Sequence, residues 1–111
     1  MKLSELDPRW LTELPDRHGM GISFECPHCQ NEPIEDRIQI AVWFSNPIDG
    51  KPPASVTCRE VIKDNRILAV QPLWNRFGDN FESLTLSPSI DARLSGHWHG
   101  NIINGEIKTL G

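Results

Sequence analysis

Hydrophobic positions along this chain recur mostly at a spacing of two, the period of an extended segment with one buried face. The clearest alternation runs from Arg37 to Phe44, where Ile38, Ile40, Val42 and Phe44 share one side and Gln39, Ala41 and Trp43 the other. A strand is predicted there. Ile22 and Phe24 alternate with Ser23 and Glu25 after the bend Gly19-Met20-Gly21, which predicts a second, half-buried strand. Further strands are predicted over Ser55–Ile62, over Arg66–Trp74 after the turn Lys63-Asp64-Asn65, and over Phe81–Leu86 after Gly78-Asp79-Asn80. Pro88, which lacks a ladder donor, should interrupt pairing at an edge or a bulge. The last element reads as a hairpin: His97–Ile103, then Asn104-Gly105, then Glu106–Leu110. Asn-Gly suits a type I′ turn because both residues there must accept positive φ.

One segment breaks the pattern. Asp7 before Pro8 has the form of a helix N-cap followed by proline at the first helical position, and Trp10, Leu11 and Leu14 supply a short apolar face that Pro15 ends. Such a helix is too short to stand alone and must pack on a sheet. The stretch Asn46–Pro53 holds three prolines and Asp49-Gly50, so it reads as a loop. The expected fold is mainly β (small α+β), an antiparallel sheet with a short N-terminal helix and a zinc-ribbon-like knuckle, in one domain over residues 1–111.

Composition narrows the function classes. A net charge of −4 with scattered Lys and Arg gives no basic stripe, which argues against a duplex nucleic acid partner. No apolar run approaches the roughly 18 residues of a membrane span, and Met1-Lys2-Leu3-Ser4-Glu5 lacks the apolar core of a signal peptide, so a cytoplasmic protein is expected. The 3 cysteines, Cys26, Cys29 and Cys58, are an odd count better read as thiols or ligands than as a disulfide.

The chemistry concentrates in Glu25-Cys26-Pro27-His28-Cys29-Gln30 and Gly96-His97-Trp98-His99-Gly100. A Cys-x-x-Cys turn offers two sulfurs, and in an extended segment His97 and His99 point to one side while Trp98 points to the other. Cys26, Cys29, His97 and His99 are therefore the expected ligands of a Zn2+ ion, with His28 or Cys58 able to replace one of the histidines. His18, beside Gly19, reads as a surface loop residue. Thiol redox chemistry is a rival, because Cys-Pro-His-Cys is similar to the active site of thioredoxin-fold thiol oxidases. That chemistry needs the first cysteine at a helix N-terminus, and Pro33 argues against a sustained helix here. Zinc deaminase, c-type haem and metalloprotease patterns each lack a required residue: no His-x-Glu exists, Gln30 follows Cys29, and no acidic ligand follows the histidines at the needed spacing. A closed structural site fits the four donors better than an open catalytic one.

The stretches Trp74–Asp79, Phe81–Ile90, Trp98-His99-Gly100 and Asn104–Ile107, together with the Cys26/Cys29 turn, resemble small phage and prophage proteins often labelled ammonia monooxygenase. In that family the segment before Trp-His-Gly commonly carries a cysteine, and the two halves together resemble a Cys/His zinc site. Here Ser95-Gly96-His97 stands at that place, so the resemblance implies that His97 replaces the thiolate. It implies a phage setting and no reaction, since the monooxygenase chemistry belongs to a membrane-embedded copper enzyme.

Trp43, Trp74 and Trp98 with Arg76 allow two readings. Exposed, Trp74, Arg76 and Trp98 would make a contact surface for a protein or a stacked base; buried, the tryptophans fill the core of a small β domain. The core reading is the better supported of the two. The resulting expectation is a zinc-stapled accessory protein of a phage or prophage that binds a host or phage macromolecule, a protein partner first among these, with binding favoured over enzymatic activity. The alternatives are a zinc-dependent hydrolase in which Glu25 or His28 moves protons, and a binder of nucleotides or signalling molecules.

Overall fold

The computed structural model describes residues 1–12, 15–53, 67–93 and 96–110, with the backbone alone over 67–72. Its strands, in chain order, are β1 (Arg9–Leu11), β2 (Gly21–Glu25), β3 (Gln39–Phe44), β4 (Ile67–Phe77), β5 (Thr85–Ser87), β6 (Ile90–Asp91), β7 (His99–Ile103) and β8 (Glu106–Thr109). They form a five-stranded sheet in the order β1-β2-β3-β4-β5 and a three-stranded sheet in the order β6-β7-β8. Helical structure among the described residues is limited to short 3-10 turns. The mainly β class read from the alternation is the class observed.

The strand read as the clearest alternation, β3, is buried on both faces rather than one. Ile40, Val42 and Phe44 enter the main core with Ile22, Phe24 and Trp98, whereas Trp43 joins Met20, Leu11 and Leu73 in a second cluster. β3 is thus apolar on both sides, which suits the middle of a sheet. Its neighbours differ in direction: β2 pairs with it antiparallel, through Ile22↔Val42 and Phe24↔Ile40, and β4 pairs with it parallel, through Ile40↔Leu68 and Val42↔Val70. The expected all-antiparallel sheet is corrected to a mixed one. Parallel neighbours require a crossover rather than a tight turn, and the predicted strand over Ser55–Ile62 lies outside the described residues.

The predicted helix from Asp7 is also corrected. Helical structure lies earlier, in a 3-10 turn over Leu3–Leu6 that buries both leucines, and Asp7 ends it with φ 48°. Arg9–Leu11 is then a strand, with Trp10 opposite Ile22. Tertiary pairing and the stacking of Trp10 on Phe81, with ring centroids 4.5 Å apart, outweigh the local Asp-Pro signal. The strand predicted over Phe81–Leu86 shortens, because the Asn80 side chain accepts the Ser83 N–H at 2.9 Å and holds that part as a turn. Pairing begins at Thr85, opposite Phe77, and ends at Ser87, just before Pro88.

The C-terminal hairpin is found where the sequence places its turn. Asn104 and Gly105 take φ 49° and 72°, and Ile102↔Ile107 and Ile103↔Glu106 pair across them. The hairpin is tied to the rest of the fold by the Leu3 N–H on the Gly105 carbonyl at 2.7 Å and by the Gly105 N–H on the Leu84 carbonyl at 2.9 Å. Trp98, fully buried, sets its ring edge-on to Phe24 at 6.0 Å and so joins the two sheets.

A candidate metal centre

β2 runs out of its sheet at Glu25, and the next four residues build the knuckle. The Cys26 N–H still donates to the Ile38 carbonyl at 2.8 Å, so Cys26 is anchored to the chain entering β3. Pro27–Cys29 then forms a 3-10 turn closed by the Cys29 N–H on the Cys26 carbonyl at 3.0 Å. Proline suits the first position of such a turn, since the missing N–H would have no partner there. Gln30 closes it from outside, its side-chain amide donating to the Cys26 carbonyl at 3.1 Å. Both sulfurs end up inside, with Cys26 0% and Cys29 7% exposed.

The third donor arrives from the other sheet. Between β6 and β7 the Gly96 N–H donates to the Arg93 carbonyl at 2.8 Å, the His97 N–H to the Ala92 carbonyl at 3.0 Å, and the Ala92 N–H to the Trp98 carbonyl at 2.9 Å. This turn delivers His97 to the knuckle, with Nδ1 3.7 Å from Cys29 Sγ. The ligand atoms of Cys26, Cys29 and His97 all lie within 4.8 Å of one another. In a tetrahedral site with bonds of about 2.3 Å to sulfur and about 2.0 Å to nitrogen, sulfur and nitrogen stand roughly 3.6 Å apart. The 3.7 Å separation is therefore already that of two ligands on one ion.

Electrostatics point the same way. Burial pushes the Cys26 thiol above its ordinary pKa, and the neighbouring Cys29 pushes it further, while the backbone N–H groups of His28 and Trp98 aimed at its sulfur oppose them. Two N–H donors on one sulfur are what a metal-bound thiolate needs, and a divalent cation would reverse the effect of burial. These residues can hold a metal ion.

His99 is not part of this close group. Because His97 sits in the turn and β7 begins only at His99, the two do not share the regular strand spacing expected of them. His99 lies opposite Asp91, and its Nδ1 is buried with no hydrogen-bond partner among the described residues. Its backbone is fixed, since the Leu110 N–H donates to its carbonyl at 2.9 Å. His28 is exposed on the knuckle, His18 is exposed in a loop, and Cys58 lies outside the described residues. The Glu25 carboxylate turns to Arg37 at 3.4 Å.

Of the two readings of the tryptophans, the core reading is the one observed, and Trp74 and Trp98 do not form the alternative contact surface. Trp74 is 2% exposed and donates its indole N–H to the Pro88 carbonyl at 2.8 Å; Trp98 donates to the Thr109 hydroxyl at 3.0 Å. Neither presents a face to a partner. Arg76 is committed as well, to the Asn46 carbonyl at 3.0 Å and to the Gly78 carbonyl, with its guanidinium 6.0 Å from the Phe44 ring centroid. Sequence reasoning missed Arg37, which hydrogen-bonds both sides of the knuckle. A long side chain with five donors just beyond a short, proline-rich turn was the available signal.

Comparison with family models, curated proteins and solved structures returns no match. The fold and the site therefore define the class by themselves: a small, mainly β protein with a Cys-Cys-His group able to hold a metal ion. No helix among the described residues is long and apolar enough to cross a membrane.

Proposed function

We propose that the ion is zinc, that His99 supplies the fourth donor, and that the site is a structural staple in a binding protein. The partner class is a host or phage macromolecule, in the phage setting that the sequence resemblance implies. The observation that carries the zinc reading is the meeting of Cys26, Cys29 and His97, from opposite ends of the chain, within 4.8 Å. Two sulfurs and imidazole nitrogen favour zinc over the oxygen-seeking cations. The buried, unpaired Nδ1 of His99 supports a fourth protein ligand, because an unsatisfied buried nitrogen costs about 1–3 kcal/mol that coordination would remove.

A second reading draws on the same count. Three donors are also the ligand set of an open, catalytic zinc. Against it, the Glu25 carboxylate is engaged by Arg37, and the exposed His28 side chain has no hydrogen-bond partner among the described residues to orient it as a base. Metal analysis of the purified chain should find zinc in a ratio near one, lost in both Cys26→Ser and Cys29→Ser. His99→Ala decides between the readings: a large loss of affinity is expected for a closed staple, and zinc retained at full affinity with a hydrolytic activity would overturn it. Purified chain that carries and takes up no metal would end both.

A further inference from the structure

We propose that Arg37 is a positioning residue that governs how firmly the Cys26–Cys29 knuckle retains its ion, an inference that rests on the zinc reading above. Its guanidinium reaches across the base of the knuckle. Nε donates to the Glu32 carbonyl at 3.0 Å, Nη2 to the Gln30 carbonyl at 3.1 Å, and Nη1 to the Glu25 carboxylate at 3.4 Å. Glu25 is the residue before the first sulfur, while Gln30 and Glu32 follow the second. One planar fork therefore brackets Cys26 and Cys29 from both sides in sequence.

The bracket meets a need that the turn leaves open. The knuckle is closed inside by the Cys29 N–H on the Cys26 carbonyl, and the Glu32 N–H uses the Cys29 carbonyl at 2.9 Å, but the carbonyls of Gln30 and Glu32 point out of that ladder. Arg37 takes both. Its side chain is 22% exposed and that of Glu25 13%, and the bonds to Gln30 and Glu25 are part-buried, where a fixed fork is worth more than a mobile one, while the bond to Glu32 lies at the surface. Arg37 also precedes Ile38, whose carbonyl anchors Cys26, so the same short stretch holds the first sulfur by backbone and the second by side chain. Groups hydrogen-bonded directly to a ligand typically change metal affinity by about 10–100-fold when removed, and Arg37, which holds the residues next to both sulfurs, should fall at the low end of that range.

The test is the rate at which the zinc-loaded chain transfers its metal to an excess of a chromophoric chelator. Arg37→Ala should release zinc about ten-fold faster than wild type. Arg37→Lys should recover only part of this, because an ammonium cannot span both carbonyls and the carboxylate. Glu25→Gln, which keeps the two carbonyl contacts, should change the rate by less than about three-fold. Arg37→Ala should lower the melting midpoint of the zinc-loaded chain by clearly more than that of the metal-free chain, which a general brace of the fold would not do. Wild-type release from Arg37→Ala, or from Arg37→Gln should the alanine variant not fold, overturns the role; so does a metal-free melting shift as large as that of the loaded protein. Wild-type chain that takes up no zinc removes the underlying reading as well, whereas tight zinc binding with no effect at Arg37 removes only this one.

Discussion

Two of the junctions between the sheets are built from opposite chemistry. At one, Trp98 lies fully buried edge-on to Phe24, its single polar atom satisfied by Thr109. At the other, a few residues away, Cys26, Cys29 and His97 crowd together, with a weak sulfur–nitrogen contact of 3.7 Å between Cys29 and His97. The apolar junction is complete with protein atoms alone. The donor junction gathers two buried thiols and a half-buried imidazole whose mutual contacts are weak unless something positive joins them. The first should hold the fold in any medium, and the second only when metal is present.

The largest effect should come from breaking the apolar junction. Gly100 sits under the Trp98 indole so closely that a Cβ there would collide with the ring and with the Lys108 carbonyl. Trp98→Ala leaves that shelf and the Phe24 edge without a partner, and truncations of buried aromatic residues typically cost about 3–5 kcal/mol. Chemical denaturation should show a loss of this size both with zinc and with chelator. A loss that appears only with zinc would mean that the tryptophan acts mainly by placing His97 and His99.

What the sequence discloses follows the same division between local and tertiary causes. The Asn104-Gly105 turn and the Cys26–Cys29 knuckle are local, since a turn type or a ligand spacing is decided within a few residues, and both are legible. The alternation of β3 is legible too, because burial on two faces leaves a pattern in one strand. Three features were not. The N-terminal helix was read from Asp7-Pro8, but Trp10 finds Ile22 and Phe81, contacts that no window of nearby residues contains. The direction of β4 beside β3 depends on the path between them, not on the side chains of either. His97 was assigned to a strand from its spacing to His99, whereas backbone bonds to Ala92 and Arg93 make it part of a turn.

The donor junction should give the next largest effect. If zinc is held at about 100-fold its dissociation constant, linkage adds about 2.7 kcal/mol to the folded state. Wild-type chain moved from that zinc concentration into excess chelator should lose roughly this amount while still unfolding cooperatively. Cys29→Ser should unfold at one midpoint in both media. A wild-type midpoint indifferent to chelator would show that the two sheets need only their apolar contact.

The smallest effect should come from a tie that involves neither junction, and it sharpens the contrast by supplying a charge contact that no ion can influence. Arg17 holds Asp49 through two bonds, at 2.7 and 3.2 Å, and its Nη2 also donates to the Pro52 carbonyl at 2.6 Å. The backbone N–H groups of His18 and Lys51 each reach the Asp49 carboxylate at 3.0 Å. The Arg17 guanidinium, helped by those N–H groups, holds the Asp49 carboxyl well below the ordinary carboxylate range. A carboxyl with a depressed folded pKa stabilises the protein above its unfolded value, about 3.9 for aspartate, and that contribution is lost as the pH falls toward the folded value. Asp49→Asn should therefore lower the melting midpoint by a few degrees at pH 7, and the gap to wild type should close as the pH drops below about 4. Because Asp91 beside Arg93 is depressed in the same way, wild type will lose stability in acid at both places, and only the difference between the two chains reports Asp49. The gap should be equal in zinc and in chelator at neutral pH; a gap that widens on metal removal would tie this loop to the knuckle, against the separation of the three contacts.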